Sequence, residues 1–119
     1  MTKISTGRAG EVLARDFLER QGYEIIEGNY RTRFGEIDIV ARENDIWIFV
    51  EVKTRRGVSF GLPEEAVTFR KQNKIVHAAL EYLREKHLSN VSWRIDVISI
   101  IMPYDHEPKI KLIKNAVER

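Results

Sequence analysis

Hydrophobic and polar residues alternate along several short segments of this chain, and two longer segments carry apolar residues at helical spacing. The alternation predicts strands over residues 23–30, 34–41, 46–53, 91–101 and 109–114. Apolar residues three and four apart predict helices over residues 7–21 and 68–87, with Thr6 and Thr68 as N-caps and Gly22 just past the first helix. This order predicts an α/β fold, a mixed five-stranded sheet flanked by helices, in which an antiparallel meander precedes a helical crossover.

Each predicted helix has an apolar face. In the first helix, Glu11 lies at the border of the apolar arc, from which a side chain can reach into a cleft. In the second helix the residues at helical spacing are Phe69, Gln72, Ile75, Val76, Ala79, Leu80 and Leu83. Gln72 is the polar member of this stripe.

The third predicted strand is apolar on both faces until its last residues. Side chains two apart share a face, so one face carries Trp47, Phe49, Glu51 and Lys53 and the other Ile46, Ile48, Val50 and Val52. Such a pattern is typical of a central strand covered on both sides. Charges at the end of a covered strand are costly to bury without partners, which favours a functional role for Glu51 and Lys53.

The second predicted strand carries a further pair of acidic side chains. Glu36 and Asp38 share one face, opposite Ile37 and Ile39, and the polar residues 42–45 favour a hairpin that sets Asp38 near Glu51. Close carboxylates repel each other unless a cation lies between them, and oxygen ligands suit Mg²⁺ and similar hard cations. The pattern predicts a divalent-cation site at one edge of the sheet.

Asp38, followed on the next strand by Glu51-Val52-Lys53, resembles the Asp…(Asp/Glu)-X-Lys core of the PD-(D/E)XK nucleases. Residues 35–41 and 49–55, with Gly10-Glu11 early and residues 94–98 late, narrow the resemblance to the YraN-like family of bacterial proteins over nearly the whole chain. That family is similar in layout to archaeal Holliday junction resolvases. The resemblance implies a restriction-endonuclease-like core and metal-dependent hydrolysis of phosphodiester bonds in branched or junction DNA.

The resemblance also implies a role for each matching residue. Asp38 and Glu51 are the expected metal ligands, Lys53 the cation beside the scissile phosphate, and Glu11 an additional acidic ligand from the first helix. One or two Mg²⁺ or Mn²⁺ ions are consistent with this set. The proline that nominally precedes the aspartate in the superfamily is Ile37 here.

Several of these residues have structural alternatives. Glu11 can simply complement the positive end of the helix dipole. Gln72 is an auxiliary site residue by resemblance to relatives with a glutamine on this helix, and a hydrogen bond at the helix start explains it equally well. For Glu36 an exposed, structural role is favoured. Asp96 competes for a site role, but the neighbouring Arg94 favours a structural ion pair.

Basic residues accompany the acidic patch along the sequence. The expected nucleic-acid contacts are Arg31, Arg33, Arg55, Arg56, Lys71 and Lys74. Such contacts to phosphate give salt-dependent, sequence-independent affinity. The glycine-containing residues 57–63 are predicted to form a loop that embraces the substrate. With 20 Lys+Arg against 18 Asp+Glu the net charge is only +2, so the distribution of charge, rather than its total, indicates nucleic acid, with DNA expected.

Length and composition narrow the alternatives. The chain has 119 residues, a length expected for one domain, and the resemblance implies that this domain, over residues 1–119, is nuclease-like. Because it has no cysteine, disulfides, thiolate zinc sites and cysteine nucleophiles are excluded. The first residues lack an apolar signal core, and no apolar run reaches the ~18 residues of a membrane span, so a cytoplasmic protein without membrane contact is expected.

Two other functions are consistent with the same residues. One is a non-catalytic nucleic-acid-binding module that retains the acidic patch by ancestry, and the other is an adaptor for a nucleic-acid-processing partner. A homodimer is expected if junctions are cut, because junction resolvases act as symmetric pairs, although no residue identifies a dimer interface.

Overall fold

The computed structural model, which describes residues 6–59 and 61–118, contains one five-stranded sheet with a helix on each face. Its elements are α1 (Thr6–Arg20), β1 (Glu24–Thr32), β2 (Gly35–Glu43), β3 (Ile46–Arg55), a 3₁₀ turn (Pro63–Ala66), α2 (Phe69–Glu85), β4 (Ser92–Ile101) and β5 (Lys109–Ile113). The order αβββαββ and the mixed sheet confirm the predicted fold class. No helix in these two ranges is long and apolar enough to cross a membrane.

The sheet order follows the chain, β1-β2-β3-β4-β5. The first three strands form an antiparallel meander, α2 crosses over so that β3 and β4 are parallel, and β5 returns antiparallel as an edge strand. As predicted, the central strand β3 is buried on both faces: Ile48 and Val50 pack with Leu18 of α1, and Phe49 packs with Tyr82 of α2.

Local signals explain one end of α1 and one end of α2. Gly22 has φ +92°, and its N–H donates to the Glu19 carbonyl at 3.1 Å while the Tyr23 N–H donates to the Leu18 carbonyl at 2.9 Å. This is a Schellman motif, which glycine favours because it has no Cβ. The Thr68 hydroxyl accepts from the Lys71 N–H at 3.4 Å and caps α2. Thr6, predicted as an N-cap, lies within α1 instead.

The apolar face of α2 differs in part from the prediction. Phe69 and Leu80 are 77% and 47% exposed, whereas Tyr82 is buried. The Tyr82 ring packs edge-on against Phe49 at 5.5 Å between centroids, and its hydroxyl donates to Glu27 Oε2 at 2.7 Å. Since tyrosine combines an apolar ring with a polar tip, a pattern of apolar residues alone does not detect it.

Strands β2 and β3 separate at one end of the sheet. Their last backbone pair is Ile39 with Val50, although β2 begins at Gly35 and β3 continues to Arg55. Beyond that pair, Oδ2 of Asp38 accepts the Val52 N–H at 2.8 Å. A side chain thus replaces the backbone ladder. The predicted acidic patch lies at this end of two interior strands, and not along either edge strand.

Candidate active site

Helix α1 approaches this end of the sheet closely because residue 10 is glycine. A Cβ added at Gly10 would lie 2.0 Å from Oγ1 of Thr54, the residue that follows Lys53. A larger side chain would therefore push α1 away from β3. The close packing carries the next residue, Glu11, to the point where the two strands separate.

Glu11, Glu36 and Asp38 form an acidic trio. Each offers a carboxylate oxygen, and these oxygens lie within 4.8 Å of one another. Asn29 of β1 joins them: in the amide orientation that satisfies its neighbours, its side-chain nitrogen donates to both oxygens of Glu11 at 3.2 Å and to Glu36 at 2.9 Å. An all-oxygen donor set of this kind fits a hard divalent cation such as Mg²⁺ or Mn²⁺.

Glu51 and Lys53 form an ion pair beside the trio. The Lys53 Nζ lies 3.1 Å from Glu51 Oε1, and the side chains are 19% and 15% exposed. Glu51, expected as a metal ligand, is thus turned towards Lys53. Both residues line a cleft of about 220 Å³ together with Glu36, Lys71 and Lys74. The cleft therefore combines carboxylates with three lysines that can face a phosphate.

The electrostatics of the site centre on Asp38. Burial raises the pKa of the Asp38 carboxyl from its ordinary 3.8 to about 7, and the charges of Glu51 and Glu11 add to the effect. The Val52 N–H and the Lys53 ammonium act in the opposite direction. A half-buried aspartate crowded by carboxylates is unfavourable as an anion, and a divalent cation would remove that penalty.

We expect the stability of the protein to fall between about pH 4 and pH 7 relative to an Asp38→Asn variant. The pKa of Asp38 is higher in the folded than in the unfolded chain, so the folded state binds more protons in this window and rising pH favours unfolding. The loss should be a few kcal/mol, at most about 4. Urea unfolding at pH 4 and pH 8 measures the loss.

Mn²⁺ added at pH 8 should restore that stability in the wild type and not in Asp38→Asn, because the ion binds the folded acidic cluster. Glu43 and Glu64 also make stability depend on pH, because hydrogen bonds and positive neighbours lower their pKa values. Their contribution is the same in the wild type and in Asp38→Asn, so the difference between the two proteins reports on Asp38. Identical pH profiles in the two proteins would contradict the expectation.

The other predicted site residues lie in different places. Gln72 is not brought to the cleft: its Nε2 donates to the Val67 carbonyl at 3.0 Å, in a separate groove, which favours the helix-start interpretation. Arg31 and Arg33 are exposed near the β1–β2 hairpin and approach Glu36 and Glu81 at 3.6 and 4.0 Å. They lie in the groove that includes Glu36 of the trio.

Arg55 and Arg56 follow Lys53 at the end of β3. Arg55 is exposed, and Arg56 is half-buried with its guanidinium over the Tyr104 ring, 4.4 Å from the centroid. These arginines line a further hollow beyond the acidic cleft. Basic side chains thus continue along β3 past the candidate active site.

Glu36 and Asn29 are the site residues that sequence reasoning missed. A structural role was favoured for Glu36 because an acidic side chain near the start of a strand is usually exposed, although the two-residue period had already placed it on one face with Asp38. Asn29 has φ +51° within β1, a conformation that asparagine tolerates better than most residues. An asparagine inside an alternating strand was the available signal.

Asp96 has the structural role that Arg94 suggested. It is fully buried and accepts hydrogen bonds from Arg94 Nε at 2.9 Å, from the Tyr23 hydroxyl at 2.7 Å and from the Asn115 N–H at 2.9 Å. These donors occupy both carboxylate oxygens. The predicted ion pair is confirmed, and the residue is already satisfied without a metal.

The topology and the converging carboxylates define this chain as an α/β protein with a mixed five-stranded sheet and an acidic cluster at the point where two interior strands separate. More particularly, it belongs to the uncharacterised protein family UPF0102, whose sequence profile matches residues 10–100. This confirms the resemblance to the YraN-like family.

Close relatives occur in distant bacteria. A UPF0102 protein of Rhodococcus opacus is 46% identical over 115 residues, covering 95% of this chain and 96% of the relative. A UPF0102 protein of Clostridium botulinum is 45% identical over 114 residues, which cover 94% of this chain and 93% of the relative. A UPF0102 protein of Caldicellulosiruptor saccharolyticus is 42% identical over 117 residues, which cover 98% of this chain and 99% of the relative. The similarity therefore extends over nearly the full length of each protein.

Among solved structures, the chain is similar to Pyrococcus furiosus SfsA in complex with Ca²⁺. The two share 12% identity with a TM-score of 0.39, over 94% of this chain and 63% of that one. The present chain thus spans less than two thirds of SfsA. This likeness is too distant to transfer a function.

Proposed function

We propose that this protein is a Mg²⁺- or Mn²⁺-dependent endonuclease that hydrolyses phosphodiester bonds in structured DNA such as branches and junctions. The observation that carries the proposal is the meeting of the acidic trio with the Glu51–Lys53 pair where β2 and β3 separate. Oxygen ligands beside a desolvated lysine suit phosphodiester chemistry, in which negative charge must be stabilised on phosphoryl oxygens.

Each side chain has a task in this proposal. Glu11, Glu36 and Asp38 would hold the cation, with Glu51 as a further carboxylate in reach of the same cleft. When bound, the cation would polarise the phosphate and promote ionisation of the attacking water. Lys53, oriented by Glu51, would neutralise charge that develops on the phosphate. The Val52 N–H would hold Asp38 in place.

The basic residues around the cleft would hold the DNA backbone. Lys71 and Lys74 line the cleft itself, and the exposed Arg31, Arg33 and Arg55 lie beyond it on two sides. Contacts of this kind position a strand without reading its sequence. The proposed preference for branched DNA comes from the similarity in layout between the YraN-like family and archaeal Holliday junction resolvases. The substrate would be met in the cytoplasm.

The test is a cleavage assay on four-way, flapped, nicked, duplex and single-stranded DNA with Mn²⁺ or Mg²⁺. We expect discrete products from the wild type and a cleavage rate at least about 100-fold lower in Asp38→Ala. Even the residues that only support metal ligands typically change metal affinity or activity by about 10- to 100-fold when they are mutated. Asp45→Ala is the matched control, because Asp45 is a fully exposed aspartate at the β2–β3 turn. It should cut like the wild type. Full activity in Asp38→Ala would overturn the proposal.

A non-catalytic binding module is the second candidate, favoured by the exposed arginines near the β1–β2 hairpin. The same preparations distinguish it: binding that weakens with salt, needs no metal and is followed by no cleavage would support it. Co-purification of a protein partner without nucleic acid would instead indicate an adaptor. Paired, symmetric cuts in a four-way junction would require two copies, and we propose a homodimer for that substrate.

A further inference from the structure

Tyr104, in the loop between β4 and β5, presents an aromatic ring to solvent. Its side chain is 83% exposed, more than any other large hydrophobic residue in the described part of the chain. The guanidinium of Arg56 lies against one face, 4.4 Å from the ring centroid. Arg56 is held in turn by a hydrogen bond from its Nη1 to the Met102 carbonyl at 3.1 Å. The cation covers one face of the ring, and the exposure leaves the other face to solvent.

This pair is joined firmly to the strand that carries the candidate catalytic lysine. Arg56 comes three residues after Lys53, and the Met102 N–H donates to the Arg55 carbonyl at 2.7 Å just past the last β3–β4 pair. Arg56 is the first residue after the end of β3, so at ~3.3 Å per residue its Cα lies at most about 10 Å from that of Lys53. That distance is roughly three nucleotides at the ~3.4 Å spacing of one duplex strand.

The surroundings favour a nucleic-acid strand as the occupant. A hollow of about 250 Å³ beside the pair is lined by Arg55, Arg56, Gly57, Ser59 and Gly61. Its arginines are complementary to phosphates. An exposed aromatic ring that rests on an arginine offers a surface on which a base can stack. Asp105 and Glu107, exposed in the Tyr104 loop, would repel phosphates, so the loop favours contact with a base rather than with the backbone.

We propose that Tyr104 and Arg56 form a stacking platform for an unpaired base of the substrate strand, a few nucleotides from the phosphate in the cleft. A base inside a fully paired duplex is already stacked on its neighbours and cannot use such a platform. The proposal rests on the proposed function, because the cleft defines where the strand lies. It narrows the substrates to DNA with an unpaired segment, such as a flap, a gap or an opened junction.

The test measures binding of one labelled DNA sequence, as a single strand and as a duplex, with a chelator present so that nothing is cleaved. Tyr104→Ala should weaken single-strand binding on the order of tenfold and change duplex binding by less than about twofold. Tyr104→Phe retains the ring and should restore single-strand binding. His106→Ala is the matched control, because His106 is exposed in the same loop and should have no effect.

A fluorescent base analogue placed at successive positions of a flap locates the platform. Quenching in the wild type that disappears in Tyr104→Ala supports direct stacking. Unchanged single-strand binding in Tyr104→Ala, equal losses for single strand and duplex, or no DNA binding by the wild type would overturn the platform. Selective loss of single-strand binding supports it even if the wild type cleaves nothing, a result that would overturn the nuclease proposal alone.

Discussion

Replacing Lys53 by methionine should lower cleavage on the order of 100- to 1,000-fold while the folded protein still gains stability from divalent cations. The loss is the size seen when one charge-stabilising group is removed from an enzyme site. Lys53 lies in the cleft with its ammonium 3.1 Å from Glu51 and only 19% of its side chain exposed, so solvent screens its charge weakly. It is not one of the oxygen ligands, and cation binding should therefore survive.

Single-turnover rates on the best substrate, measured for the wild type, Lys53→Met and Lys53→Arg, give the first readout. Lys53→Arg should retain part of the activity, since it keeps the charge with a different shape. Lys109→Met is the matched control, because it makes the same substitution at an exposed lysine outside the cleft, at the start of the edge strand β5. It should be fully active.

The pH dependence of stability supplies a readout that simple misfolding would not reproduce. The Lys53 ammonium lowers the pKa of Asp38, so Lys53→Met should move the pH-dependent loss of stability to higher pH. An active Lys53→Met protein would exclude Lys53 from the chemistry. Loss of both cleavage and cation-dependent stabilisation would show that Lys53 maintains the site rather than acts on the phosphate.

Asp96→Ala should destabilise the fold by about 3–5 kcal/mol, the usual cost of breaking a buried ion pair. Asp96 is fully buried, and its loss leaves the Arg94 Nε–H and the Tyr23 O–H without an acceptor, although Arg94 Nη2 keeps its pairing with Glu43. Tyr23 is itself buried, and although its hydroxyl oxygen still accepts from Arg94 Nη2 at 2.9 Å, its O–H loses the acceptor, which adds to the penalty. For a domain with a total stability of about 5–15 kcal/mol, this is a large fraction.

Urea unfolding measures the effect of Asp96→Ala, if the dependence of the unfolding free energy on urea concentration is the same in the wild type and the variant. Glu43→Gln is the matched control: Glu43 also pairs with Arg94, at 3.1 Å, but is partly exposed, and its loss should cost about 1 kcal/mol or less. If Asp96→Ala costs less than 1 kcal/mol, the buried network contributes little. If its effect depends on divalent cations, the assignment of Asp96 as structural is wrong.

Much of the fold could be predicted because its signals are local. The Schellman motif at Gly22 and the Thr68 cap depend on residues within one or two turns of a helix. The alternation that buries Ile48 on one face and Phe49 on the other follows from the geometry of a single strand. The prediction that Phe69 and Leu80 belong to the buried face of α2 was wrong. Burial of a helix residue depends on which other elements cover the helix, and the spacing within α2 does not contain that information.

The candidate site was predictable to the extent that its residues share a strand or a hairpin. Asp38, Glu51 and Lys53 carry a pattern that the sequence displays directly. The partners of these residues depend on contacts between elements. Glu51 pairs with Lys53, and the Val52 N–H donates to Asp38, because β2 and β3 separate beyond Ile39 and Val50. The sequence pattern of neither strand predicts where this separation begins.

The sequence alone determined the order of the elements, the buried central strand, the family and the principal charged residues, because these depend on spacing along one chain segment. Only the tertiary structure decided that Glu36 joins Glu11 and Asp38, that Gln72 turns away to Val67, and that Tyr104 rests on Arg56. Each of those outcomes joins residues from different elements. Their distances are set by how helices and sheet pack against one another, which no short segment encodes by itself.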